Sequence, residues 1–145
     1  MFGTWATKLL EGVLSFLRAS SDCSMTRKKL TANFYEDEFA CKCGCGLNGI
    51  NMELVKLLQK LREDFNSPMA VTSGLRCPEW NTQAQGSKNS SHLWGEAVDI
   101  SITDGKMRYN FIEKAQKYFK RIGIAKTFVH VDVDHIKTNP VIWTY

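Results

Sequence analysis

Apolar residues recur at helical spacing between Asn51 and Phe65, where NMELVKLLQKLREDF places Leu54, Leu57 or Leu58, Leu61 and Phe65 on one face. Asn51 stands at the N-cap position and Asn66-Ser67-Pro68 end the run, so a helix is predicted there. A second helix is predicted from the cap Asp104 to Arg121, burying Phe111, Ala115 and Phe119, with Gly123 closing it. At the N-terminus, Phe2, Trp5, Leu9, Val13 and Phe16 or Leu17 give Met1 to Ala19 the pattern of an amphipathic helix, interrupted by Lys8, Glu11 and Arg18. Residues 20–33 are polar and mixed and read as a linker. The expected organisation is an N-terminal helix and linker over 1–29 and a main domain over 30–145.

Strand patterns carry different information. Met69 to Ser73 is short, β-rich and followed by Gly74, which suggests a strand entering a turn. In Ala97–Ile102 a period of two sends Val98, Ile100 and Ile102 to one face and Ala97, Asp99 and Ser101 to the other. In Phe128–Val133 the three valines take one face while His130 and Asp132 share the opposite one. If both strands lie in one sheet over a common core, Asp99, His130 and Asp132 project from the same side. The expected fold is α+β, a small antiparallel sheet with helices packed on one face.

Composition changes this picture little. At 145 residues, with 43% hydrophobic and 23% charged residues, the chain has the totals of one ordinary globular domain. A net charge of +4 suits an anionic surface, yet the basic residues are dispersed apart from Arg27, Lys28 and Lys29, and no nucleic-acid motif is present. Of the cysteines, Cys41, Cys43 and Cys45 are spaced for one strand face, while Cys23 and Cys77 are isolated. This spacing argues against a disulfide framework and favours idle thiols, although residues 41, 43 and 45 could capture a soft metal in vitro. The N-terminal run is too charged for a secretory signal and too short to span a bilayer, which leaves docking on the domain, a partner or a membrane surface.

The chemistry concentrates in two segments. Ser90-Ser91-His92-Leu93-Trp94-Gly95-Glu96-Ala97-Val98-Asp99 sets an imidazole and a carboxylate seven residues apart, with Gly95 permitting the reversal that brings His92 back over Asp99. His135 follows Asp132 where its strand should end, so the chain could return a second imidazole to the site. Two imidazoles and one carboxylate with a vacant fourth position make a catalytic zinc set. Taken singly, each histidine is more often a hydrogen-bonded structural residue. All three, His92, His130 and His135, nevertheless fall in these two segments.

The motif HxxGxAxD from His92 to Asp99, preceded by Ser90 and followed by HxDxxH from His130 to His135, resembles the zinc D-alanyl-D-alanine carboxypeptidases and the related phage L-alanyl-D-glutamate endolysins. Ser73-Gly74-Leu75-Arg76-Cys77-Pro78 is similar to that family's arginine-bearing turn, and the resemblance runs from about residue 33 to the C-terminal tyrosine. It implies one zinc ion on His92, Asp99 and His135, with Asp132 as general base. Arg76 and His130 would bind substrate and steady developing charge, and Ser90 would assist substrate binding or serve only in a turn. The dipeptidase branch carries a glutamate three residues before its last histidine, where this chain has Asp132. A peptidoglycan peptide is the implied substrate and a monomeric main domain the expected state, with no nucleic acid as partner. With no cleavable signal, the expected location is the cell wall, reached after release by lysis or by export. Hedgehog signalling domains resemble the same family, so a zinc-containing binding module without catalysis is the alternative.

Overall fold

The computed structural model describes residues 26–145 of the chain. The amphipathic helix expected over Met1 to Ala19 lies outside them. Among the described residues the elements run α1 (Glu36–Phe39), α2 (Met52–Phe65), β1 (Val71–Ser73), α3 (Pro78–Gln83), a 3-10 turn (Ser91–Trp94), β2 (Ala97–Ser101), α4 (Gly105–Ala115), β3 (Arg121–Ile124), β4 (Phe128–Asp132) and β5 (Val141–Thr144). The strands form one sheet in the order β1-β2-β4-β3-β5. All neighbours are antiparallel except β3 and β5, which run parallel. The fold is α+β, and its sheet is mixed where a wholly antiparallel one was expected.

The helix α2 forms where the apolar period places it. Asn51 accepts the Glu53 N–H at 2.8 Å, and Asn66 ends the helix in a left-handed conformation while donating its N–H to the Arg62 carbonyl. Leu54, Val55, Leu58, Leu61 and Phe65 are buried against Val98, Ile100, Ile122, Val129 and Val131 of the sheet and Phe111 and Ala115 of α4. Each such side chain contributes roughly 1.5–3 kcal/mol through removal of apolar surface from water.

The helix α4 stops at Ala115, short of the expected Arg121. Its last turn tightens, with the Lys117 N–H on the Lys114 carbonyl, and Phe119 reaches the core from the turn that follows. Arg121 then opens β3, and Gly123 is a strand residue instead of a helix stop. A side chain at Gly123 would meet the Trp143 ring of β5 at 2.7 Å, so the glycine leaves space for that ring.

The segment before the expected domain start is already part of the fold. Lys28 accepts the Glu36 N–H at its carbonyl, Lys29 bridges to Tyr35, and Leu30 packs against the core. Arg27 and Lys28 pair with Asp37 and Glu36, both at 2.8 Å, so this basic run is exposed but partnered.

Candidate metal centre

The strand register alone brings two of the chemical residues together. Asp99 and His130 are direct partners across β2 and β4, two positions before Ala97 meets Asp132. Both side chains leave the sheet on the face opposite the helices. His92 approaches from the 3-10 turn, which Ser90 caps by accepting the His92 N–H at 3.3 Å and Gly95 ends at φ +69°. The Arg76 N–H donates to the His92 carbonyl at 2.9 Å and fixes the turn against the next loop.

Three ligand-type atoms meet as a result. His92 Nε2 lies 3.2 Å from Asp99 Oδ1 and 3.2 Å from His130 Nδ1, and His130 Nδ1 lies 2.9 Å from the same Asp99 oxygen. The outward nitrogens decide the tautomers. His92 Nδ1 faces the Gly74 carbonyl at 2.7 Å, and His130 Nε2 faces Asp132 Oδ2 at 3.0 Å. Carbonyl and carboxylate oxygens only accept, so these nitrogens carry the hydrogens and the inward ones present lone pairs. Two lone pairs and a carboxylate oxygen directed at one another require a cation between them. A zinc ion with ligands at about 2.0–2.1 Å sets tetrahedral neighbours about 3.3 Å apart, close to the spacing found. The donor set therefore fits zinc.

Burial and charge act against each other here. Burial holds the His92 imidazole below its ordinary basicity. His130 is raised although burial opposes it, because Asp132 and Asp99 flank the ring. Burial would also raise Asp99, yet hydrogen bonds from His130 and His92 hold it well below the usual carboxylate range.

The surrounding residues hold the ligands from outside. Arg76 places one guanidinium nitrogen on Asp99 Oδ2 at 2.6 Å and its Nε on Ser73 Oγ at 2.7 Å. Asp132 is buried, accepts from Arg121 Nε at 2.9 Å and the Asp134 N–H at 3.1 Å, and takes the His130 N–H. Asp134 accepts the Ser91 hydroxyl at 2.8 Å and pairs with Lys137 at 3.2 Å. The cluster lies in a cleft of about 620 Å³ whose walls include Arg76, Arg121, Lys137, Trp143 and Tyr145. That volume is within the range of about 300–1,000 Å³ typical of ligand sites.

His135 is not at the cluster. Its side chain is 74% exposed and points to Glu53 at 3.6 Å, beside a separate cavity. The chain leaves β4 at Asp132 and continues through Asp134 without curling back, because Asp134 is tied to Ser91. The second imidazole gathered with His92 and Asp99 is that of His130. Three other expected site residues stand around the cluster. Asp132 sits across the His130 ring from the inward nitrogen, with its Oδ2 on His130 Nε2. Arg76 is committed to Asp99 and Ser73, and Ser90 to its turn. Counted back three residues from His130, the chain has Thr127, which is no base. Arg121, expected only as a helix end, and Lys137 reach the cleft through long-range packing, and the signal for Arg121 is its cross-strand pairing with Asp132.

A cleft floored by two imidazoles and a carboxylate has the donor set of a metal-dependent hydrolase. The chain belongs to the Peptidase M15 family, whose model matches residues 32–133, and that family is zinc-dependent. The matched span includes His92, Asp99, His130 and Asp132 and stops before His135. Curated proteins give no significant match to the chain.

Proposed function

We propose that this peptidase hydrolyses the stem peptide of bacterial peptidoglycan, as a D-Ala-D-Ala carboxypeptidase or an L-Ala-D-Glu endopeptidase, with one catalytic zinc held by His92 Nε2, Asp99 Oδ1 and His130 Nδ1. The observation that carries the reading is the convergence of those three atoms within 3.2 Å, each outer nitrogen anchored to an acceptor. Zinc bound there supplies a polarised carbonyl and a water acidified toward a pKa of about 7. Asp132 keeps His130 in the ligating tautomer and raises its basicity, the function of a carboxylate behind a metal-bound imidazole. Arg76 fixes which Asp99 oxygen faces the ion. Arg121 and Lys137 line the same cleft and match the carboxylates that a stem peptide carries. Action on the wall follows release by lysis or export.

The test is digestion of purified peptidoglycan by the full chain with and without a chelator, followed by mass analysis of the fragments. The expected result is zinc-dependent cleavage at one stem-peptide bond, abolished in His92→Ala. Chelator-insensitive cleavage would overturn the mechanism. A second reading, a zinc-containing binding module, gains support from the commitment of both Asp132 oxygens to Arg121 and His130. Zinc-loaded protein that retains wall binding but releases no fragment would favour it.

A further inference from the structure

A second group of ligand-type atoms lies away from the histidines. Cys41, Cys43 and Cys45 were expected on one face of a strand, as idle thiols. The segment is instead an irregular loop, in which Gly44 and Gly46 take φ of +83° and +78°, and it folds its sulfurs onto Cys77. Cys41 Sγ is 3.4 Å from Cys43 Sγ, Cys43 Sγ is 3.6 Å from Cys77 Sγ, and all four sulfurs lie within 4.8 Å of one another. In a zinc tetrathiolate with Zn–S of about 2.3 Å the sulfurs stand about 3.8 Å apart, so little movement closes the set. Backbone N–H groups point at the sulfurs as they do around bound thiolates: Cys77 N–H on Cys41 Sγ at 3.4 Å and Trp80 N–H on Cys77 Sγ at 3.3 Å.

The loop has few apolar anchors of its own. Residues 42–49 are all exposed, and the stretch has little apolar contact to hold it. Among the described residues it is tied by the Cys41 N–H on the Leu47 carbonyl and by Lys42 Nζ on the Glu38 carbonyl, both at 2.9 Å, and by the gathered sulfurs. Cys41 follows α1 and Cys77 follows Arg76, so an ion there would join the start of the domain to the turn that holds Asp99. The adjacent contact is already tight: the Leu75 N–H donates to the Phe39 carbonyl at 2.9 Å, and a side chain at Gly74 would meet that oxygen at 2.5 Å.

We propose that Cys41, Cys43, Cys45 and Cys77 form a structural site for a soft divalent cation, zinc foremost, separate from the histidine centre. The four thiols give up their protons to solvent and the thiolates close a tetrahedron with no vacant position, so this ion takes no part in hydrolysis. The site does not depend on the peptidase reading.

The full chain, purified under reducing conditions with Cys23→Ser to remove the remaining thiol, is loaded with zinc for metal analysis and with cobalt for absorption. About two zinc ions per chain are expected, with a thiolate-to-cobalt charge-transfer band in the near ultraviolet. His92→Ala should bind about one ion and keep the band, while Cys43→Ser with Cys45→Ser, at exposed positions, should bind about one and lose it. If the double variant does not fold, the charge-transfer band of the parent decides. About one zinc in the parent without that band, or a band that disappears in His92→Ala, would overturn the proposal. Failure of the peptidase reading would show separately, as a full metal complement without hydrolysis.

Discussion

His130 and Val131 are neighbours on β4, 4% and 0% exposed, and they do opposite work. Val131 enters a face covered by α2 and α4, where the core cluster is apolar. His130 enters a face covered by a turn and a cleft, where the partners are a carboxylate on either side of its ring and a second imidazole. Burial alone does not separate core from site; what receives the side chain does. Substitutions on the two faces should therefore fail differently, one in stability with metal retained, the other in metal with the fold retained.

The sharpest break is His130→Ala against His135→Ala. Structural zinc binding of about 10–16 kcal/mol spread over its ligands makes one ligand worth several kcal/mol, so His130→Ala should weaken zinc at the histidine site by more than about 100-fold and abolish hydrolysis. His135→Ala, at an exposed position, should leave both unchanged. Competition titration with a chromogenic chelator checks this, and the reverse outcome would restore the ligand set implied by the motif. On the other face, Ile100→Ala should cost about 2–5 kcal/mol in denaturant unfolding while leaving zinc affinity intact. A large loss of zinc affinity in that variant would show that the faces are coupled.

Asp132→Asn comes next and separates two roles. An orienting carboxylate predicts a 10- to 100-fold loss of zinc affinity, about 1.4–2.7 kcal/mol. A base acting on its own predicts a fall in kcat with zinc affinity preserved. The smallest effect is the pH dependence of zinc binding. Asp132 and Asp99 raise the His130 pKa above its ordinary value against the pull of burial, so a proton competes with the ion for Nδ1. Affinity should then fall as pH drops from that raised value toward and below 6.5, by up to about tenfold per unit for one displaced proton, and level off at higher pH. Flat affinity from neutral pH down to 6 would mean that no proton is displaced.

The sequence shows the placement of Asp99, His130 and Asp132 on one face, because alternation along a strand is a local property. It also shows α2, whose caps at Asn51 and Asn66 sit beside its apolar period. Which second imidazole gathers with His92 and Asp99 is not legible from motif spacing. The pattern ending at His135 competed with the pairing of Asp99 opposite His130, and the pairing, visible only when two strands are aligned, prevailed. Strand β5 is not legible in the sequence because four residues pairing in parallel with β3 have no hairpin signal. Gly123 read as a helix stop because its reason, the Trp143 ring, is twenty residues away. The thiol cluster was hidden likewise, since the sequence separates Cys77 from the other three and only the loop's left-handed glycines reverse it onto them.

His92 is anchored to the Gly74 carbonyl and His130 to Asp132, partners that the protein itself supplies. Both rings therefore lose their rotational freedom when the chain folds, and capture of a cation asks for no further ordering. The speed of loading should be set by how readily the ion sheds its hydration shell. Zinc should enter quickly, whereas magnesium, which dehydrates reluctantly and prefers six oxygens, should be excluded even at high concentration.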